Sequence, residues 1–142
     1  MTKESGTWLR RFHPGPEGGP RLVCFPHAGG SAPYFHPVSR DLSPVLDVLA
    51  VQYPGRQERR HEPRITDIAD LADALMAEIG PLADRPLAFF GHSMGAVVAF
   101  EVALRLRERG VTPVALFASG RRAPSAVREE TLYQESDRAL VA

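Results

Sequence analysis

Residues Leu87-Ala88-Phe89-Phe90 run without interruption into Gly91-His92-Ser93-Met94-Gly95 and then into a long, largely apolar segment. Four consecutive apolar residues read as a buried strand. Residues 94–109 read as a helix, with Val97, Val98, Phe100, Val102, Leu104 and Leu106 spread over most of its sides. A chain that passes from buried strand to buried helix in one short turn needs a sheet with that helix packed on its face, which is an α/β arrangement. The turn itself dictates the glycines. Gly91 and Gly95, lacking Cβ, relieve crowding around a serine held in a strained conformation. The same turn lifts the Ser93 hydroxyl above the carboxyl edge of the sheet. It sets Ser93 and Met94 at a helix N-terminus, where free N–H groups and the helix dipole favour negative charge. A bare G-x-S-x-G match arises by chance in about one chain of this length in twenty, taking Gly and Ser at about 7% usage each. The pattern therefore gains its meaning from the strand before it and the helix after it, the setting a nucleophile elbow requires. A purely structural turn is the competing reading.

The rest of the chain alternates in the same way. A strand is expected near residues 8–12, then a turn over Pro14-Gly15-Pro16-Glu17-Gly18-Gly19-Pro20, then a strand Arg21–Phe25 stopped by Pro26. A short helix is expected over 34–42, and a Val- and Leu-rich strand over 46–53 ends at Pro54-Gly55. Ile65, Ile68, Leu71, Ala72, Leu75, Met76 and Ile79 recur at spacings of three and four, which predicts an amphipathic helix with Asp67, Asp70, Asp73 and Glu78 largely off its apolar face. Thr66 or Asp67 can cap it, and Gly80-Pro81 ends it. Gly110 stops the long helix, and 114–118 reads as a further strand. Residues 131–142 read as a partly helical, charged segment with an unfinished apolar face. Strands separated by helices in this rhythm imply βαβ units and a mostly parallel sheet with helices on both faces.

A second constellation follows the strand Arg21–Phe25: Pro26-His27-Ala28-Gly29-Gly30-Ser31-Ala32. Acyl transfer through a tetrahedral intermediate needs two N–H groups aimed at one developing oxyanion, and a glycine-bearing loop after an early strand can supply the second donor. The backbone N–H groups of Ala28 and Met94 are the candidates. An ordinary βα turn is the alternative reading of the same residues.

Composition narrows the classes of function. The 142 residues are 44% apolar and 24% charged, enough for one globular domain, and the 17 basic and 17 acidic side chains balance. No excess of positive charge suggests nucleic acid or an acidic membrane. No apolar run approaches a transmembrane length, and the first residues lack a signal-peptide core, so a cytoplasmic location is expected. The single cysteine, Cys24, excludes an internal disulfide and sits in Leu22-Val23-Cys24-Phe25 as a small buried hydrophobe. No His/Cys cluster has metal-ligand spacing, so no metal and no cofactor are expected.

Four segments together resemble the type II thioesterases, the stand-alone α/β-hydrolases that accompany polyketide and nonribosomal peptide synthases. They are Phe25-Pro26-His27-Ala28-Gly29-Gly30-Ser31-Ala32, Tyr53-Pro54-Gly55-Arg56, Phe90-Gly91-His92-Ser93-Met94-Gly95-Ala96 and Ala118-Ser119-Gly120-Arg121-Arg122-Ala123-Pro124. The resemblance implies an α/β-hydrolase fold and hydrolysis of acyl groups from the phosphopantetheine thiol of acyl or peptidyl carrier proteins. It implies Ser93 as nucleophile, with Ala28 and Met94 as the oxyanion hole and Gly91, His92 and Gly95 as the elbow. A thioester suits such a site, because thiolate leaves with less protonation than an amine needs.

One expected part is absent from the sequence. The triad of the resembled family runs Ser, then Asp, then His. Candidate acids follow Ser93 (Glu101, Glu108, Glu129, Glu130, Glu135 and Asp137), but His13, His27, His36, His61 and His92 all precede it. A serine hydroxyl is a weak nucleophile without a base in hydrogen-bond reach. His27, on the rim of the site, is the one substitute worth weighing; His92 adjoins the nucleophile and is expected to turn its ring into the fold. The expectation is the N-terminal part of one hydrolase domain over 1–142, cut before the lid and the loops bearing Asp and His, leaving an exposed sheet edge. A carboxylesterase or lipase of the same fold, and an inactive fragment or carrier-docking module, are the other readings. The basic cluster Arg56, Arg59, Arg60, His61 and Arg64 could steer an acidic carrier or be a solvated loop. Arg121 and Arg122 could meet the phosphopantetheine phosphate or serve only the surface. Tyr34 and Phe35 could line the acyl pocket or serve packing.

Overall fold

Each apolar run bounded by Pro or Gly becomes a strand of one sheet. A computed structural model describes residues 8–55, 59, 61–63, 65 and 67–120. The expected segment 131–142, Arg121 and Arg122, the acids Glu129, Glu130, Glu135 and Asp137, and Arg56, Arg60, Arg64 and Thr66 lie outside the described residues. The strands are β1 (Leu9–Arg10), β2 (Arg21–Phe25), β3 (Asp47–Val51), β4 (Leu87–His92) and β5 (Ala115–Ser119). The helices are α1 (His36–Leu42), α2 (Ile68–Ile79) and α3 (Met94–Glu108). Two short 3-10 turns, Ala32–Phe35 and Gly80–Asp84, precede α1 and follow α2. Gly80-Pro81 therefore ends the α-helical hydrogen bonding but not the helical path. Proline lacks the N–H that would continue the ladder, yet its fixed φ suits the first turn of a new helix.

The strand order is β1-β3-β2-β4-β5. All pairings but one are parallel; β1 runs antiparallel to β3, with Leu9 opposite Val51. The chain therefore leaves β2 to build β3 on one side and later returns to build β4 on the other. Such a reversal opens a crevice at the carboxyl ends of the two central strands, because the loops that follow them diverge. Phe25 pairs with Gly91, and Gly91 with Ala118. The 26–32 loop, the elbow and the end of β5 are thus brought side by side.

One face of the sheet packs on α2 and α3 through Val23, Phe25, Leu49, Val51, Leu75, Ile79, Phe89, Val98 and Val102. The other packs on α1 through Leu22, Cys24, Phe35, Val48 and Ala50. Helix α2 begins as its sequence requires: Asp67 is the N-cap, and its carboxylate accepts hydrogen bonds from the N–H groups of Ala69 (2.7 Å) and Asp70 (3.2 Å). Helix α3 ends at Gly110, whose φ is +83°; Gly110 N–H donates to Arg107 C=O and Val111 N–H to Leu106 C=O, a Schellman pairing. The helix is less deeply set than its composition suggests. Gly95, Ala96, Val98, Ala99, Val102 and Leu106 are buried, while Val97, Phe100 and Leu104 are half-exposed, because α2 covers only part of its outer side.

Cys24 is buried, and burial pushes its thiol up to about 12, so it stays protonated and inert at neutral pH. At the amino-terminal end of the parallel strands Asp47 opens β3. Arg11 donates to both of its carboxylate oxygens (2.7 and 3.0 Å), and Arg21 donates to one of them while also meeting Asp84.

Candidate active site

The elbow forms because strand, helix and two glycines leave the backbone no other path. Strand β4 ends at His92, and α3 starts at Met94, so Ser93 alone makes the turn. Its φ is 58° and ψ −120°, and among the described residues it is the one non-glycine with positive φ. Holding a β-substituted residue there costs about 1–3 kcal/mol and persists only where the surroundings impose it. The surroundings do. A Cβ on Gly91 would collide with the Gly95 carbonyl and stand 2.6 Å from Ala96 Cα; a Cβ on Gly95 would collide with the Phe25 carbonyl and stand 2.7 Å from the Pro26 oxygen. Both glycines are therefore required by backbone-to-backbone approach. The turn is further fixed by Ser93 N–H, which donates to Ser119 C=O (2.8 Å), and by Ala96 N–H, which donates to Ser93 C=O (2.9 Å).

Ser93 stands at the N-cap position of a 15-residue helix, but its side chain makes no cap hydrogen bond. A structural N-cap serine has extended backbone and accepts from an N–H one turn on. Ser93 does neither, so its hydroxyl is withheld from the helix it begins. Met94, the first residue of α3, carries an N–H with no intrahelical acceptor.

The facing loop is pinned at both ends. Tyr53 donates its hydroxyl proton to Pro26 C=O (3.0 Å), and the buried Gln52 accepts from Ala32 N–H at Oε1 (2.8 Å). Between these points Gly30 N–H donates to His27 C=O, Gly29 takes φ +82°, and Ala28 is exposed. Neither Ala28 nor Met94 N–H donates to a carbonyl in a described loop or cap hydrogen bond. Both residues thus follow the adjacent carboxyl ends of β2 and β4. Gln52 and Tyr53 were not singled out by the sequence as residues of the site. The available signal was a polar Gln closing an otherwise apolar strand.

All five histidines are described, and no imidazole hydrogen-bonds Ser93 Oγ. His13 Nδ1 pairs with Ser39 Oγ (2.8 Å), far along the chain from the elbow, and His36 packs against His13 and Phe12. His61 is exposed. His92 is half-buried. Its ring is turned toward the end of β5, with Nδ1 3.3 Å from Ser119 Oγ, and lies edge-on to His27, with ring centroids 5.7 Å apart. The expected turn of this ring into the fold is thus replaced by a seat at the carboxyl edge. His27 also lies edge-on to Tyr34 (5.3 Å), which is exposed, while Phe35 is buried against Phe90.

The basic cluster is not uniformly a surface. Arg59 is buried: it donates to Gln52 C=O (2.9 Å) and to both Glu62 oxygens (2.9 and 2.6 Å), and its guanidinium sits 4.3 Å from the centre of the Trp8 ring. A charge satisfied in this way braces the end of β3 and is withheld from any docking partner.

The thioesterase-domain family profile matches residues 20–142, which includes the loop, the elbow and every strand from β2 onward. The chain belongs to the thioesterase family. It is 52% identical over 135 residues to a probable cadicidin biosynthesis thioesterase of Streptomyces griseus, covering 95% of this chain and 37% of that protein. It is 52% identical over 144 residues to thioesterase PikA5 of Streptomyces venezuelae, covering 100% of this chain and 51% of that protein. Its fold matches the solved type II thioesterase BorB from the borrelidin biosynthetic cluster with a TM-score of 0.85 at 48% identity, covering 89% of this chain and 52% of that one. This thioesterase chain thus spans about half or less of the length of the relatives it matches, and its sheet and helices form part of an α/β-hydrolase fold.

Proposed function

We propose that the protein hydrolyses acyl thioesters carried on the phosphopantetheine arm of acyl or peptidyl carrier proteins, in an editing role beside a polyketide or nonribosomal peptide synthase in the cytoplasm. The observation that carries this reading is Ser93 itself: positive φ, no cap bond, and two glycines whose Cβ positions the backbone occupies. Its thioester preference is drawn from the family and from relatives that serve cadicidin and borrelidin biosynthesis.

In this reading Ser93 Oγ attacks the thioester carbonyl, and the N–H groups of Ala28 and Met94 hold the oxyanion that forms. The carbonyl collapses with cleavage of the C–S bond, the pantetheine thiolate leaves, and water then releases the acyl group from Ser93. The Ser93 proton passes to a general base as the C–O bond forms, and none of the five imidazoles is hydrogen-bonded to the hydroxyl in this structure. Mass measurement of an acyl-carrier protein before and after incubation tests the proposal. Loss of the acyl mass with the native protein and none with Ser93→Ala is expected, together with slower cleavage of the matching oxygen ester. Faster cleavage of the oxygen ester would replace the thioesterase reading with that of a carboxylesterase. Release unchanged by Ser93→Ala would remove Ser93 from the chemistry.

A further inference from the structure

We propose that His27 and His92 are positioning residues, an edge-to-face imidazole pair that fixes the distance between the two oxyanion donors. The inference rests on the thioesterase reading above and assigns these histidines a part distinct from that of a base.

The 26–32 loop is tied to β3 at its two ends, by Tyr53 at Pro26 and by Gln52 at Ala32. Neither tie reaches its middle, where Ala28 and Gly29 are exposed. The described side-chain contact that joins the middle of the loop to the elbow is the one between the His27 and His92 rings, 5.7 Å between centroids at 84°. Each ring is set in a seat cut by a glycine. A Cβ on Gly30 would stand 2.8 Å from His27 Cε1 and 2.9 Å from Nδ1; a Cβ on Gly120 would stand 2.7 Å from His92 Cε1. His92 is held in turn by Ser119 Oγ, on the residue whose carbonyl accepts the Ser93 N–H. His27 is backed on its other side by Tyr34. The path is continuous: the elbow, Ser119, the His92 ring, the His27 ring, and then the Ala28 N–H one residue on. Among the described residues His27 Nδ1 is buried with no hydrogen-bond partner, and the contacts that hold this side chain are ring to ring. Edge-to-face aromatic pairs of this separation attract beyond their buried area, which biases a short loop among its conformers.

The substitution Gly30→Ala separates positioning from folding, because its φ is ordinary and its methyl meets only the far end of the His27 ring. Backbone 15N relaxation of Ala28 reads the result without any turnover. With Gly30→Ala or His27→Ala, the Ala28 order parameter is expected to fall from the rigid range near 0.85 toward 0.6, with the thermal midpoint little changed for Gly30→Ala. With His27→Phe, which keeps a ring edge, it is expected to recover. In thioester hydrolysis, His27→Ala is expected to lower kcat about three- to tenfold with KM within about twofold. An Ala28 order parameter unmoved by both Gly30→Ala and His27→Ala would overturn the proposal, as would failure of His27→Phe to restore it. A native protein that releases no acyl group would overturn the proposed function alone, since the relaxation measurement stands without catalysis.

Discussion

Ser93 stores strain that a structural turn would discard. Replacing it with glycine frees the positive φ. Net of the extra freedom glycine has in the unfolded chain, Ser93→Gly is expected to raise stability by about 1 kcal/mol. Ser93→Ala keeps the strained backbone and is expected to leave stability within about 0.5 kcal/mol. Urea unfolding of the two variants measures the difference; equal stabilities would mean that the turn is relaxed. Gly95→Ala is expected to cost about 3 kcal/mol or more, since the added methyl meets fixed backbone at Phe25 and Pro26 and has nowhere to move. These residues were legible in the sequence because their chemistry is local: two glycines, a serine, a strand before and a helix after. The seats of His27 and His92 were not. Their contact depends on Phe25 pairing with Gly91 and His92 with Ser119 across strands far apart in sequence, and nothing in the local pattern sets that register.

At the scale of elements, most boundaries were legible where proline, glycine or a capping carboxylate marks them. Strand β2 falls on the expected residues, and α2, which starts at Ile68, is capped by Asp67, one of the two caps the sequence offered. Asp67→Ala is expected to cost about 1 kcal/mol, read from the urea midpoint. The antiparallel direction of β1 was not legible, because two residues carry no directional pattern. Nor was the role of Asp47. Its burial alone would raise the carboxyl pKa, but the hydrogen bonds and charges of Arg11, then Arg21, outweigh burial and hold it below the usual carboxylate range. A folded pKa below the unfolded value, about 3.9, means the unfolded chain binds the proton more readily. This contribution is therefore present at neutral pH and lost as pH falls below about 5 toward the lower folded value. Urea midpoints measured from pH 7 to pH 3 are expected to decline, with a shallower decline for Asp47→Asn.

Across the whole molecule, the strand-order reversal between β2 and β4 brings the residues of the candidate site to one end of the sheet. The opposite consequence falls on β5. Among the described residues it pairs only with β4, and beside it lies an apolar groove of about 690 Å³ lined by Leu22, Val38, Leu46, Phe90, Val114 and Phe117. Unpaired edges next to apolar surface promote association between chains. Light scattering is expected to show association that grows with concentration and weakens in Phe117→Lys, whose side chain is partly exposed and replaceable without a cavity. The strand β5 was legible from its apolar run; the groove was not, because it depends on Val38 and Leu46 meeting Phe90 and Phe117 across strands far apart in sequence. Central to the proposed function is Ser93 as the nucleophile. Fluorophosphonate labelling followed by peptide mapping tests it most directly. One adduct at Ser93, absent from Ser93→Ala, is the expected result; an adduct elsewhere, or none on a chain whose circular dichroism shows it folded, would contradict it.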